Sequence, residues 1–208
     1  MYKRQSLLSS VLSLNYKVGL YSSPHLYDYT ERIKINKKNI SKKDFIHIYN
    51  FIEKKILDYE KMSGKTFSFF EVLTAMSFIY FKKNKVDINV IETGIGGTYD
   101  TTNVIKSDIQ VITPISYDHQ NVLGDTIKSI SENKAGIIKQ NSTVITSKQI
   151  SEALEIIRKK SAEKKSKLIE LNYSIKSKLS IEDFRMNTLI EINGDEYNIS
   201  SNSVGRHY

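Results

Sequence analysis

Apolar positions along the chain recur with two periods, and the changes between them mark the elements. Leu7, Leu8, Val11, Leu12 and Leu14 lie at helical spacing, and Asn15 can close that helix. Lys17 to Tyr21 reads as a short strand entering Ser22-Ser23-Pro24-His25, where proline forces an extended or turn conformation on Ser23. Thr30 to Asn36 alternates as a strand, with Ile33 and Ile35 on one face. Ser41 is an N-cap, with Asp44 three residues on, ahead of Phe45, Ile48, Ile52 and Ile56; Ser63-Gly64 ends that helix. A second apolar helix is predicted from about Phe70 to Lys83.

Two compact apolar runs follow. Ile88 to Ile91 ends in Glu92 and then Gly94-Ile95-Gly96-Gly97, and Ile109 to Ile115 ends in Ser116-Tyr117-Asp118-His119. Thr126 to Ile138 reads as a helix, Thr143 to Thr146 as a strand, Ser151 to Lys165 as a helix and Lys167 to Leu171 as a strand. Strand alternating with helix predicts an α/β fold, a largely parallel sheet with flanking helices. Near the end, Thr188 to Ile192 and Glu196 to Ile199 flank Asn193-Gly194-Asp195, a hairpin signal. A chain of 208 residues can make one large domain or two small ones.

Composition narrows the function classes. The chain has no cysteine, which excludes disulfides and thiolate metal sites and suits a reducing cytoplasm, the expected location. There is no uninterrupted apolar stretch of membrane-spanning length, so no membrane role is expected. Lys3-Arg4 before Leu7 to Leu14 imitates a signal peptide, but Ser9, Ser10 and Ser13 break the apolar run and no small-residue cleavage site follows. The net charge of +8 invites a nucleic-acid partner. The lysines are dispersed, through Lys37-Lys38, Lys42-Lys43, Lys54-Lys55, Lys82-Lys83 and Lys159 to Lys167, without an aromatic-interleaved stripe, so none is expected. The same charge eases the approach of an anionic substrate.

In open parallel sheets, ligands bind beyond the carboxyl ends of the strands. Tyr21 runs into Ser22-Ser23, Ile91 into Glu92, and Ile115 towards Asp118-His119, all groups suited to hard cations or phosphates. Magnesium takes oxygen ligands and keeps several waters, so one carboxylate, a hydroxyl and substrate phosphates suffice. Histidine is the less usual ligand. Plainer readings stand beside these. Glu92 could face solvent at a strand end, His119 could cap the following turn through its ring, and Gly94-Ile95-Gly96-Gly97 could be a tight turn, its spacing differing from G-x-G-x-x-G.

Taken in order, these segments resemble the folylpolyglutamate synthase/dihydrofolate synthase family of Mur-type ligases. The motifs are Tyr21-Ser22-Ser23-Pro24-His25-Leu26 with Thr30-Glu31-Arg32-Ile33, Phe69-Phe70-Glu71-Val72-Leu73-Thr74-Ala75, and Glu92-Thr93-Gly94-Ile95-Gly96-Gly97 with Asp100-Thr101-Thr102-Asn103. Asp118-His119, Leu123-Gly124-Asp125-Thr126 and Lys134-Ala135-Gly136-Ile137 complete the series. The resemblance is strong over residues 6 to 148 and weaker beyond.

It implies an ATP- and magnesium-dependent ligase, one that phosphorylates a folate or pteroate carboxylate and joins the acyl phosphate to the amine of L-glutamate. By motif, Ser23 and Glu92 hold magnesium and His119 joins at a second ion. Lys134 occupies the position carbamylated in Mur-type ligases, and with His119 it forms the catalytic pair. Gly96, Asp100 and Asn103 fall on the nucleotide side; Ser22, Pro24, His25 and Phe70 fall on the substrate side. A free lysine is protonated at neutral pH, so carbamylation needs a neighbouring charge that favours the neutral amine. Lys134 can equally be read as a solvated helix lysine, and Phe70 as plain core.

The family's phosphate-binding G-T-N-G-K-G-S loop is expected immediately upstream of Met1, and residues 1 to 5 do not read as family sequence. Residues 6 to 208 are thus read as an incomplete ATP-binding domain, inactive alone and monomeric when complete. Gly205-Arg206-His207 resembles the family's G-x-H stretch ahead of its C-terminal domain. Thr98 and Asn133 replace residues common in the family, arginine and glutamate respectively. Two rival readings stay open: a Mur-type ligase acting on a cell-wall precursor, and a non-catalytic basic binding module.

Overall fold

The computed structural model describes residues 4–180, 185–192 and 194–201, in two units that divide between Ile105 and Lys106. The first unit runs α1 (Arg4–Leu12), β1 (Val18–Tyr21), a 3-10 turn (Tyr29–Arg32), β2 (Ile33–Ile35), β3 (Lys38–Asn39), α2 (Lys42–Ser63), α3 (Phe69–Lys83), β4 (Ile88–Ile91) and a second 3-10 turn (Thr101–Val104). Its sheet has the order β3-β2-β1-β4. β1 is parallel to β4, with Tyr21 opposite Ile91, and antiparallel to β2, with Tyr21 opposite Ile33. As the strand between two partners, β1 is buried at every position. Gly19 lets α3 lie close on it, because a Cβ there would come within 2.8 Å of Phe81 Cδ1 and 2.9 Å of Asn89 Oδ1. Tyr21, Ile33, Ile40, Ile48, Ile52, Leu73, Met76 and Phe81 form the core.

The caps of α2 are those read from sequence: Ser41 Oγ accepts the Asp44 amide at 3.0 Å, and Gly64 takes the left-handed conformation at φ 67°. α3 begins one residue earlier than predicted, at Phe69, because Ser68 and Glu71 form a capping box. Two expectations need correction. α1 ends at Leu12, and residues 13 to 15 fold as turns, with Leu14 N bonded to the Val11 carbonyl and Asn15 N to that of Leu12. The strand predicted from Thr30 begins only at Ile33. Asp28 accepts from both the amide and the hydroxyl of Thr30, and these local bonds wind Tyr29–Arg32 into a turn.

The second unit carries β5 (Ile109–Ile112), α4 (Gln120–Leu123), α5 (Ile127–Ala135), β6 (Thr143–Thr146), α6 (Ser151–Glu163) and β7 (Lys167–Glu170). β5, β6 and β7 form an all-parallel sheet in that order. Ile112, Val144, Ile130, Ala153 and Ile157 are the centre of its core. β8 (Tyr173–Ser180), β9 (Arg185–Ile192) and β10 (Asp195–Ser201) form an antiparallel sheet. The predicted hairpin is its β9–β10 half, with Ile192 opposite Asp195 and Gly194 at φ 95°. Asn193 and the Gly205-Arg206-His207 stretch lie outside the described residues. β8 is a strand that the sequence pattern does not single out. Among the described residues no helix is long and apolar enough to cross a membrane.

Candidate active site

In the first unit the parallel pairing of β1 with β4 sends Ser22-Ser23 and Glu92 off the same end of the sheet. The ladder continues one step past the strands, with the Glu92 amide on the Tyr21 carbonyl at 2.9 Å. The Glu92 carboxylate then accepts the Ser23 amide at 2.7 Å. The structure thus brings together two of the predicted metal ligands, Ser23 and Glu92, 69 residues apart in sequence. The bond uses the Ser23 main chain, which the sequence pattern does not reveal. The next peptide, Ser23-Pro24, is cis.

The segment after Pro24 is closed at its base by the Ser22 amide donating to the Arg32 carbonyl at 2.9 Å. Inside it, the amides of Leu26, Tyr27 and Asp28 all converge on the Glu31 carboxylate at 3.0 Å. These donors, that of Leu26 foremost, hold the Glu31 carboxyl below its ordinary value of 4.5. The Thr30 hydroxyl and then its amide do the same for Asp28, below 3.8. Both folded pKa values are depressed, so this support is complete above the ordinary values and lost as pH falls through the folded ones. On acidification to below these ordinary values, the Leu26, Tyr27 and Asp28 amides are expected to lose exchange protection before the strands do, as read by NMR. Simultaneous loss across the unit would contradict this.

His25 is half-buried, and its Nδ1 accepts a hydrogen bond from Arg32 Nε at 2.9 Å. The Arg32 guanidinium lies over the Phe69 ring at 5.5 Å. Arg32 falls within a family-like motif, but the sequence alone assigns it no role.

Phe70 stands in the first turn of α3 with its ring 5.7 Å from that of Tyr21. Thr74 Oγ1 lies 3.0 Å from the Tyr21 hydroxyl and 2.8 Å from the Phe70 carbonyl. Burial, partly opposed by the Thr74 hydrogen bond, pushes the Tyr21 phenol up to about 12, so this buried polar group stays neutral. On its other side Phe70 touches the glycine loop, where a Cβ added to Gly94 would lie 2.7 Å from Phe70 Cζ. Asp100 ties that loop down. One of its oxygens accepts the Gly94 and Ile95 amides, each at 2.9 Å, and the other accepts the Thr102 amide at 2.9 Å and the Thr102 hydroxyl. Gly96 has φ 73°, and Asn103 Nδ2 donates to the Thr98 carbonyl at 3.1 Å. Asp100 and Asn103, read from sequence as nucleotide contacts, both bind the loop itself.

The remaining predicted residues belong to the second unit. His119 takes φ 51° at the start of α4 and makes no side-chain capping bond; its ring instead faces the Asp118 carboxylate, with Nε2 3.6 Å from Oδ2. The capping alternative therefore does not hold. Lys134 is half-buried in the last turn of α5. Sequence reasoning missed Gln149. Its Oε1 accepts the Ile115 amide at 2.8 Å, and its Nε2 donates to the Thr113 carbonyl at 2.9 Å, just past the end of β5 at Ile112. These bonds hold the backbone leading to Asp118 and His119. Gln149→Leu would strand the Ile115 amide, while the exposed Thr113 carbonyl turns to water, at a cost of about 1 kcal/mol. The expected readout is faster exchange at Ile115 and a lower denaturation midpoint; unchanged exchange there would refute it.

Among the described residues, no three His, Asp or Glu side chains cluster into a protein-only metal cage. The Glu92 carboxylate and the Ser23 hydroxyl are oxygen groups of the type magnesium takes, and the contact seen between the two residues runs through the Ser23 amide.

No family model matches the chain. It is 37% identical over 151 residues to the dihydrofolate synthase/folylpolyglutamate synthase of Bacillus subtilis, covering 72% of this chain and 35% of that protein. To the enzyme of the same name from Buchnera aphidicola it is 41% identical over 150 residues, covering 72% and 34%. A solved folylpolyglutamate synthase in complex with AMPPCP and folate superposes on 98% of this chain and 50% of its own, at 29% identity and a TM-score of 0.87. The fold is therefore that of the α/β nucleotide-domain class of Mur-type ligases. Within that class, the chain belongs to the folylpolyglutamate synthase/dihydrofolate synthase family. It spans about a third of the length of the curated relatives it matches.

Proposed function

We propose that the protein is an ATP-dependent ligase that adds L-glutamate to the carboxylate of a folate or dihydropteroate, through an acyl phosphate. The observation that carries this reading is the Ser23–Glu92 pair, held at 2.7 Å at the carboxyl ends of two parallel strands beside the tethered glycine loop. Ligation asks the site to bring a polyanionic nucleotide against a carboxylate. Ser23 and Glu92 would hold magnesium, which when bound offsets the charge on the phosphoryl oxygens. Asp100 engages the Gly94 and Ile95 amides and so keeps the glycine loop in place, with Gly96 as its position on the nucleotide side. Phe70, at the foot of α3, and the Pro24–His25 segment offer an aromatic and apolar wall to a flat acid. By the family resemblance His119 would join in metal binding and Lys134 would act as a carbamylated carboxylate.

The test uses the longest in-frame product of the gene and follows ADP release with ATP, magnesium and L-glutamate held constant. Dihydropteroate, tetrahydrofolate and a cell-wall precursor are compared as acceptors. Release dependent on a pterin acceptor is expected, and which one responds identifies the folate step. Release with the cell-wall precursor alone, or with no acceptor from a folded protein, would overturn the reading.

A further inference from the structure

Arg32 makes two fixed contacts and one directed one. Its carbonyl takes the Ser22 amide at 2.9 Å and its guanidinium rests on the Phe69 ring at 5.5 Å, so both ends of the residue are anchored. From that position Nε donates to His25 Nδ1 at 2.9 Å. A guanidinium has donors only, so Nδ1 must be the accepting nitrogen and the ring hydrogen sits on Nε2. Two exposed apolar side chains border the pair, Leu26 next to His25 in sequence and Phe69 under the guanidinium, and the Asp28 carboxylate also acts on His25. An imidazole donor with exposed aromatic and apolar side chains beside it suits a flat ring that carries acceptor atoms.

We propose that Arg32 is a positioning residue that fixes His25 as an Nε2–H donor to an acceptor atom on the ring of the acid substrate. This rests on the ligase reading for the identity of the substrate, and on the Arg32–His25 geometry for the rest. Arg32 need not touch the substrate. It selects which face of the imidazole chemistry the substrate meets.

The test has two arms. Long-range proton–nitrogen correlation on the nitrogen-15-labelled chain separates the ring nitrogens of its four histidines, and His25→Gln assigns the signals. Wild type should show His25 with an accepting Nδ1 and a protonated Nε2. Arg32→Met should release the ring to a mixture of tautomers. Arg32→Lys, which keeps the charge over Phe69 but has no Nε, should do the same and guards against a folding defect in the first variant. An unaltered His25 pattern in both variants would overturn the proposal, since a merely structural arginine would leave the tautomer alone.

In the second arm, on the longest in-frame product, Arg32→Lys should raise KM for the acid substrate roughly tenfold, the scale of one hydrogen bond. kcat and the KM for ATP should hold. A tautomer change with no change in that KM would overturn the substrate half. If wild type itself releases no ADP with any acid, the ligase reading fails, while the first arm still decides what Arg32 does to His25.

Discussion

Asp100→Asn is expected to loosen the glycine loop and lower stability by about 2–3 kcal/mol, the scale of one hydrogen bond to a charged group with a further one weakened. The carboxylate works with both oxygens at once. One receives the Gly94 and Ile95 amides and the other receives the amide and hydroxyl of Thr102. Asparagine keeps one oxygen and turns the other into a donor. Whichever way its amide is oriented, an NH2 group faces N–H or O–H donors that have lost their acceptor, and the loop must move to relieve it. Exchange at Gly94, Ile95 and Thr102 should quicken together, with an earlier urea midpoint. Reduced nucleotide affinity with exchange at those amides unchanged would instead make Asp100 a direct ligand and not the anchor of the loop.

That Asp100 binds protein backbone shows where sequence reasoning has its reach. Amphipathic spacing and caps are local, and they located α2 through Ser41 and Gly64, β4 before Glu92, and the β9–β10 turn at Gly194. The strand ends carrying Ser23 and Glu92 were legible because apolar runs stop there, and parallel pairing then brings those ends together. Local competition was harder to read. Alternation at Thr30 to Asn36 said strand, while Asp28 and Glu31 spent their oxygens winding the first residues into a turn. Contacts made across the fold left no local trace. Gln149 reaches Ile115 across 34 positions, and as a lone glutamine ahead of a helix it carries no pattern. The Arg32–His25 bond spans only seven residues but depends on the loop closing on itself.

The second large effect is expected at Gly94, where the glycine loop meets α3. The need for glycine at this position is steric: an alanine Cβ would sit 2.7 and 2.8 Å from Phe70 Cζ and Cε1, and 3.0 Å from an Asp100 oxygen. Contacts that short require something to shift. The Phe70 ring is held by Tyr21 at 5.7 Å, in a helical turn whose carbonyl is bonded to Thr74, and the loop is held by Asp100. Gly94→Ala therefore strains two anchored elements and should cost about 1–3 kcal/mol, as overpacking does. Phe70→Leu removes the atoms that collide, at its own cost of about 1 kcal/mol for the smaller side chain. In the Phe70→Leu background Gly94→Ala should then cost about 0.5 kcal/mol or less, so a double-mutant cycle on urea midpoints isolates the contact. Additive costs would mean that the alanine is resisted elsewhere, at Asp100. The same cycle on the KM values of the longest in-frame product tests whether loop and ring work as a pair in ligation. If the ring is the substrate wall and the loop lies on the nucleotide side, Gly94→Ala should raise both the acid and the ATP KM, and Phe70→Leu the acid KM alone.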